Sequence, residues 1–448
     1  MTVIHAGAAL LADGWVQDVR IHCKDGAVSS VETSVSPQPQ DERHAVVVPA
    51  MPNLHSHAFQ RAMAGLAEIR GPADDSFWSW RTVMYKFALS MTPDHVEAVA
   101  AQLYMEMLEA GFGRVGEFHY LHNDMDGSHY GNIAEMAERI GAAASQTGIG
   151  LTLLPVFYAH SGFGGQAPID GQKRFIHSLD SYERLMQGAQ AVVNGLPGAT
   201  LGIAPHSLRA VTGEELAAIE PLAKGGPIHI HVAEQVKEIE DSLAFSGARP
   251  VEWLLQNAPV DERWCLIHAT HMTEAETRRM AKSGAVAGLC PITEANLGDG
   301  IFPAPGFIAE GGHYGVGSDS NILISVPEEL RMLEYSQRLS LRARNVIADA
   351  GRSTGEKLFQ QALQGGGRAL DSKNQIEAGK SADFVALDCS AVPHLPASQI
   401  LDQWMFASSV HVDTVWVRGK KLVQAGQHVH RREISDRFNK VMAELVDS

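Results

Sequence analysis

The stretch Val46-Val47-Val48-Pro49-Ala50-Met51-Pro52 runs directly into Asn53-Leu54-His55-Ser56-His57. An apolar run of this length, without polar alternation, reads as a strand buried on both faces, as parallel strands are. In extended backbone, residues two apart project to the same side. His55 and His57 therefore offer two imidazoles from the C-terminal end of that strand, an arrangement suited to one metal ion.

Seven further apolar runs follow: Val115 to Tyr120, Leu151 to Tyr158, Thr200 to Ala204, Pro227 to Val232, Trp264 to Ala269, Ala285 to Cys290 and Tyr314 to Ser318. Between them lie segments with helical spacing of apolar residues, such as His95 to Glu109, Ile133 to Gln146, Gly213 to Leu222 and Thr273 to Ser283. Alternating strands and helices predict a parallel sheet with crossover helices. Eight such units over about 320 residues fit a (β/α)8 TIM barrel in the α/β class, better than an open doubly wound sheet, because no Gly-rich dinucleotide fingerprint follows any strand.

Both ends of the chain have a different texture, with short strands and turn signals such as Lys24-Asp25-Gly26 and Arg418-Gly419-Lys420. Neither end alone is large enough to bury a core. The expectation is one discontinuous β-sandwich domain from residues 1–48 and 376–448, flanking a barrel over 49–375. Residues 71–93 break the alternation and cluster Trp78, Trp80, Arg81 and Tyr85, as a lid over the barrel mouth would. A last helix, Thr354 to Leu370, carries Gly365-Gly366-Gly367 at its end.

With 21 histidines in 448 residues, an HxH triplet arises about once by chance, so the motif alone decides little. The chain has three. His428-Val429-His430 lies in the β-rich tail and reads as surface decoration, whereas His229-Ile230-His231 lies in a barrel strand. What gives His55 and His57 weight is that other candidate ligands recur at strand ends: His231 with Glu234 after the fifth run, His268 after the sixth, and Asp319 after the eighth. A barrel builds its active site at these ends. Three imidazoles and one carboxylate, His55, His57, His231 and Asp319, describe a catalytic zinc site with an open water position. Asp319 is placed to accept that water's proton, Glu234 to shuttle it to a leaving nitrogen, and His268 to polarise the group under attack.

The formal net charge of -16 repels nucleic acid and anionic membrane surfaces, which excludes both as partners. No run spans a membrane and no basic n-region precedes the apolar start. Four cysteines, Cys23, Cys265, Cys290 and Cys389, show no CxxC spacing, which points to a reducing, cytoplasmic setting and away from a thiolate zinc site.

Taken together, Pro52-Asn53-Leu54-His55-Ser56-His57, His231-Val232-Ala233-Glu234, His268 and Ser318-Asp319-Ser320 resemble the deaminase branch of the amidohydrolase superfamily over nearly the whole chain. Within it, His55-Ser56-His57-Ala58-Phe59-Gln60-Arg61-Ala62-Met63-Ala64-Gly65, Phe77-Trp78-Ser79-Trp80-Arg81, Gly116-Glu117-Phe118-His119-Tyr120 and Ala204-Pro205-His206-Ser207-Leu208-Arg209 are similar to the formimidoylglutamate deiminases of histidine degradation. The resemblance implies zinc-dependent hydrolysis of N-formimino-L-glutamate to N-formyl-L-glutamate and ammonia by a homodimer with one zinc per chain. Iron(II) suits the same donors. A small dicarboxylate substrate needs local cations in an acidic protein, so Arg81 and Arg209 become its carboxylate partners, Tyr120 and Gln60 neutral donors, and His206 a contact for the formimino end. Arg61 continues the same motif toward the substrate.

Three rivals remain open. A zinc deaminase of a purine, pyrimidine or related heterocycle shares the metal site but favours stacking over paired arginines. A metal-free binding protein would lack one or more ligands. A binuclear enzyme needs a carboxylate or modified lysine after strand four, where the chain has Pro205-His206.

Overall fold

The structure, a computed structural model, describes residues 2–70 and 77–446. Eight strands form the barrel: β1 (Met51–Ser56), β2 (Phe112–His119), β3 (Gly150–Phe157), β4 (Thr200–Leu201, resuming at Ala204–Pro205), β5 (Ile228–Val232), β6 (Trp264–His268), β7 (Val286–Leu289) and β8 (His313–Val316). All neighbouring pairs from β1 to β4 and from β5 to β8 are parallel. The two half-barrels meet through bridges at Ile203 and Ile228 and at Ser207 and His231 on one side, and at Ser56 and Asp319 on the other. Helices cover the outside, so β1 and β2 are buried at every position, as their unbroken apolar character requires.

The opening stretch divides differently from its reading as one strand. Glu42–Pro49 belongs to the terminal sheet, parallel to Thr2–Leu11 and antiparallel to Phe384–Asp388. The chain crosses at Ala50, whose N–H donates to Asp383 O at 3.1 Å, and β1 starts at Met51. Both strands are apolar, so hydropathy carries no mark of the change of partner. Pro49, which lacks an N–H to donate, stands at the end of its strand as proline does in sheets.

Strands from both termini interleave in one eight-stranded sheet, in which Glu42–Pro49 and Thr2–Leu11 lie next to Phe384–Asp388 and Gly14–Lys24. Its own small core contains Ile4, Val19, Ile21, Val47, Phe384 and Trp416. His428, expected at the surface, is 3% exposed; its Nε2 meets Thr147 O at 2.9 Å and its N–H donates to Glu109. The short strand Gln427–His428 folds onto the barrel helices there, and a lone tail segment gives no sequence sign of that packing.

The helix expected to be the last, Thr354–Ala369, passes straight through its three glycines, and two more helices, Ile400–Phe406 and Arg431–Val446, follow it. A Cβ on Gly365 would stand 1.9 Å from Tyr314 O, and one on Gly366 2.6 Å from Pro52 Cγ. The glycines thus let helix backbone lie directly on β8 and β1. Ala369 and Leu370 then plug the closed end of the barrel against Leu54, Ile267 and Val286, with His229 Nε2 on Ala369 O at 2.8 Å. His229 is used structurally there.

Two stability predictions follow from this packing. Gly365→Ala forces backbone apart and lowers the unfolding free energy by about 1–3 kcal/mol in denaturant titration, whereas Gly306→Ala, with open space around it, stays within about 0.5 kcal/mol of wild type. Beside β2, His119, His122 and His177 pack ring to ring, and burial pushes His119 down to about 3 and His177 down to about 2. Their folded forms are neutral, so the stability they contribute is present above about pH 6.5 and is lost as pH falls toward 3. Denaturant unfolding across that range shows the loss, and His177→Asn flattens it.

Candidate active site

The barrel mouth is organised by left-handed backbone at residues that carry side chains. Ala233 (φ 54), His268 (φ 67), Ala269 (φ 48), Asp319 (φ 45) and Asn321 (φ 59) all lie at or just past strand ends, each at a cost of order 1–3 kcal/mol. The effect is easiest to see after β5. Glu234, three residues beyond His231, would face away in continued extension; the turn at Ala233 brings both to the same cleft. Glu238, at the start of helix Val236–Ser246, holds that turn by accepting the N–H groups of Ala233 (3.0 Å) and Glu234 (3.2 Å).

Asp319 is joined to β1 by its own backbone. Its N–H donates to His55 O at 3.0 Å, and His57 N–H donates to Asp319 O at 3.1 Å. Asn53, Ser318 and Asn321 brace the junction: Ser318 N–H donates to Asn53 Oδ1 (3.0 Å), Ser318 Oγ to Asn321 Oδ1 (2.6 Å), and Asn321 Nδ2 to His57 O (3.0 Å).

The four donors His55, His57, His231 and Asp319 are buried and lie within 4.8 Å of one another. Backbone carbonyls decide their tautomers. His57 Nδ1 meets Phe118 O and His231 Nδ1 meets His206 O, both at 3.0 Å, so Nδ1 carries the hydrogen and Nε2 keeps its lone pair. Those lone pairs converge. His55 Nε2 lies 3.1 Å from His231 Nε2 and 3.3 Å from Asp319 Oδ1, and His57 Nε2 lies 3.2 Å from the same oxygen. Ligands ~2.0–2.1 Å from a tetrahedral zinc stand ~3.3 Å apart, which these separations match. Burial pushes His55 down to about 3 and His231 well below the ordinary histidine range, so both are neutral, as ligands must be. The donor set fits a metal ion.

His268 faces this ring without joining it. Its Nδ1 lies 3.3 Å from Glu294 Oε1; its Nε2 is 3.9 Å from Glu234 Oε1 and 3.8 Å from Asp319 Oδ2. Burial alone would lower it, but the Glu234 charge, the Glu294 hydrogen bond and Asp319 carry it up to about 10. Opposite stand the two arginines. Arg209 keeps 13% of its side chain exposed, sits 3.8 Å from Glu234 Oε2, and has no acceptor on Nε. Arg81 Nη2 donates to Tyr158 Oη at 3.3 Å and its guanidinium lies over the Trp78 and Tyr85 rings. Gln60 Nε2 donates to Tyr120 Oη at 2.7 Å, leaving its buried carbonyl oxygen unpaired. The His206 and Tyr158 rings are 4.5 Å apart.

Thus His57, Gln60, Arg81, Tyr120, His206, Arg209, His231, Glu234, His268 and Asp319 line one cleft of about 550 Å³, with His55 directly behind. Arg61 does not: its guanidinium grips Glu106 through two hydrogen bonds of 2.7 and 2.8 Å. It continues the motif in sequence but sits on the 3-10 turn Ala58–Met63, whose next residue rotates away from the mouth toward helix Pro93–Glu109. Of the expected lid, residues 71–76 lie outside the described residues. Helix Phe77–Ser90 presents Phe77, Trp80, Arg81, Met84 and Tyr85 to the cleft. Tyr158 and Glu294 went unnoticed in the sequence, although Tyr158 directly follows β3 and Glu294 lies five residues after β7 ends; the strand-end rule that found Asp319 extends to both.

The model of the amidohydrolase family matches residues 46–422, and that of the formimidoylglutamate deiminase HutF N-terminal domain matches residues 1–45. A formimidoylglutamate deiminase from Pseudomonas aeruginosa is 47% identical over 100% of both chains. The chain belongs to the amidohydrolase family, in its formimidoylglutamate deiminase branch. An amidohydrolase crystal structure from Brucella melitensis shares 58% identity over 100% of each chain, with a TM-score of 0.98. An adenosine deaminase from Xanthomonas campestris with bound zinc shares the fold at a TM-score of 0.82 and 21% identity, over 100% of this chain and 99% of that one. A 5-methylthioadenosine/S-adenosylhomocysteine deaminase from Natronomonas pharaonis is 26% identical over 86% of this amidohydrolase and 82% of its own length. No helix among the described residues is long and apolar enough to cross a membrane.

The turn after β5 gives this amidohydrolase a direct test. Glu238→Ala leaves two buried N–H groups without acceptors and lowers the unfolding free energy by about 1–3 kcal/mol in denaturant titration; an unchanged midpoint would show that Glu238 does not hold the turn.

Proposed function

We propose that this protein hydrolyses N-formimino-L-glutamate to N-formyl-L-glutamate and ammonia, in L-histidine degradation. The carrying observation is Arg209: a nearly buried guanidinium with an unfilled Nε donor, opposite the metal-type donor ring and in the same cleft as Arg81. Burial opposes its charge, but Glu238 and Glu234 raise its pKa further, so it is available as a cation for one carboxylate of a dianionic substrate. Arg81 suits the second, and its aromatic neighbours limit its motion.

His55, His57, His231 and Asp319 would hold one zinc ion, with iron(II) as the alternative occupant. Zinc held there supplies a nucleophilic water near neutral pH. Asp319 accepts a proton from the attacking water. Glu234, on the same side as His231, transfers protons toward the nitrogen that leaves as ammonia. His268, kept in one orientation by Glu294, polarises or hydrogen-bonds the amidine group under attack. Gln60 and Tyr120 position the substrate through their mutual hydrogen bond, and His206 contacts the formimino group. We assign residues 1–48 and 376–448 to a supporting β-sandwich domain, 49–375 to the barrel, and the 71–93 segment to a lid. The buried, unpaired cysteines suit a cytoplasmic enzyme. A homodimer is the assembly that the family resemblance implies, which light scattering would refute by returning a monomer mass.

Zinc-loaded protein is expected to release ammonia from N-formimino-L-glutamate and to lose that activity on chelation. Turnover of 5-methylthioadenosine or guanine, with none on the formimino substrate, would replace this reading with the heterocycle one. Arg209→Met should lower kcat/KM by roughly 10- to 100-fold, the loss of a charged hydrogen bond of about 1.5–3 kcal/mol. Glu234→Gln should retain metal yet lose roughly 10²- to 10⁴-fold in kcat; a fall in metal content instead would make Glu234 a ligand.

A further inference from the structure

Asp319 faces two ways. Oδ1 lies inside the four-donor ring, 3.3 Å from His55 Nε2 and 3.2 Å from His57 Nε2. Oδ2 is the oxygen that approaches His268 Nε2, at 3.8 Å. Beside both residues stands Cys290, which directly follows β7 and is fully buried. Its thiol sulfur, a ring nitrogen of His268 and a carboxylate oxygen of Asp319 all lie within 4.8 Å of one another. The lack of CxxC spacing spoke against a thiolate ligand; the fold supplies one anyway, because strands six, seven and eight are neighbours and each contributes a donor at its end.

We propose that His268, Cys290 and Asp319 form a second, inhibitory site for a thiophilic divalent cation of the zinc or cadmium type, with Asp319 bridging it to the four-donor ring. The proposal rests on the ligand assignment made above for that ring.

Two observations besides proximity favour a cation here. The first is how the donors are held. Glu294 Oε1 lies 3.3 Å from His268 Nδ1 and accepts Cys290 N–H at 3.0 Å. One carboxylate therefore anchors both donors, and it gives His268 the carboxylate-bound Nδ1 that metal-ligating histidines commonly have. Nε2 is left facing Glu234 and Asp319 at 3.9 and 3.8 Å, beyond hydrogen-bond reach. The second is charge. Glu234, Glu294 and Asp319 are all buried around this spot. A permanent cation that answers them is Arg209, 3.8 Å from Glu234.

Binding exchanges protons for the metal: the Cys290 thiol releases its proton to solvent and the sulfur becomes a ligand, and any proton on His268 Nε2 leaves with it. Donor separations must contract from within 4.8 Å to about 3.5 Å for tetrahedral ligation, which requires the Cys290 thiol to turn about its Cα–Cβ bond toward the anchored His268. A cation on Nε2 and Oδ2 withdraws His268 and Asp319 from the reaction, so occupancy stops turnover. Hard cations such as magnesium do not select a thiolate.

The test adds cadmium to holoenzyme of measured zinc content. The expected result is a thiolate-to-cadmium charge-transfer band in the ultraviolet, rising with one equivalent of bound cadmium as activity falls, while the resident zinc stays bound and magnesium has no effect. Cys290→Ser should keep basal turnover, show no band, and need at least about tenfold more cadmium for half-inhibition; Cys290→Ala serves if the serine variant folds poorly. An identical cadmium response in wild type and variant, or a band that appears only as zinc is released, overturns the proposal. Untreated protein that lacks zinc, or holoenzyme inert on the formimino substrate, would count against the earlier reading instead, and the cadmium band would still report on Cys290.

Discussion

The barrel closes through an exchange of two backbone hydrogen bonds, from Asp319 N–H to His55 O and from His57 N–H to Asp319 O. β8 ends at Val316, and β1 and β8 belong to separate ladders joined at the Ser56 and Asp319 bridge. Closure of the fold and assembly of the donor ring are therefore the same event. If Asp319 left its left-handed conformation, the seam between first and last strand would lose its bonds, and the carboxylate would leave the imidazoles. The Asn53, Ser318 and Asn321 network makes that departure costly, since each buried polar group it would strand carries a desolvation penalty of about 1–3 kcal/mol.

Electrostatics at the mouth depends on this rigidity. The protein carries a net charge of -16, and its field opposes any anion that approaches. Attraction has to be local, and on the function proposed above Arg81 and Arg209 would provide it at short range, where low dielectric strengthens a pair far more than it strengthens the screened field of distant surface charges. Glu238 contributes twice here: its carboxylate caps the turn that aims Glu234, and its charge is the first of those that keep Arg209 protonated.

Much of this was legible in the sequence because barrel chemistry lies at strand ends and apolar runs mark the strands. Amidohydrolase relatives share the fold, and the alternation of runs and helices already indicates it. The boundary between sheet and barrel near Ala50 was not legible, because hydropathy reports burial but not which strand lies alongside. Arg61 misled for a related reason: a motif is linear, whereas the 3-10 turn at Ala58–Met63 sends successive side chains to different faces. Glu238 and Glu294 were invisible as positioning groups, since a glutamate early in a helix has the same local signature whether it caps, faces solvent or grips a buried histidine. Cys290 was set aside on spacing, yet ligand sets built from separate strands leave no spacing rule to read.

The two ends of the barrel divide the demands of stability and chemistry. At the closed end, Gly365 and Gly366 admit helix backbone against β8 and β1, and Leu370 fills the interior. At the open end, five residues with side chains adopt left-handed backbone and three carboxylates crowd the His268 imidazole. Each of those features disfavours folding by itself, so the tight packing below has to offset them. That opposition gives the mouth a strongly negative interior held in place by its scaffold, and such an interior attracts a soft cation that fits. Sensitivity to a second metal is thus a physical consequence of building acid–base chemistry from converging carboxylates beside a thiol.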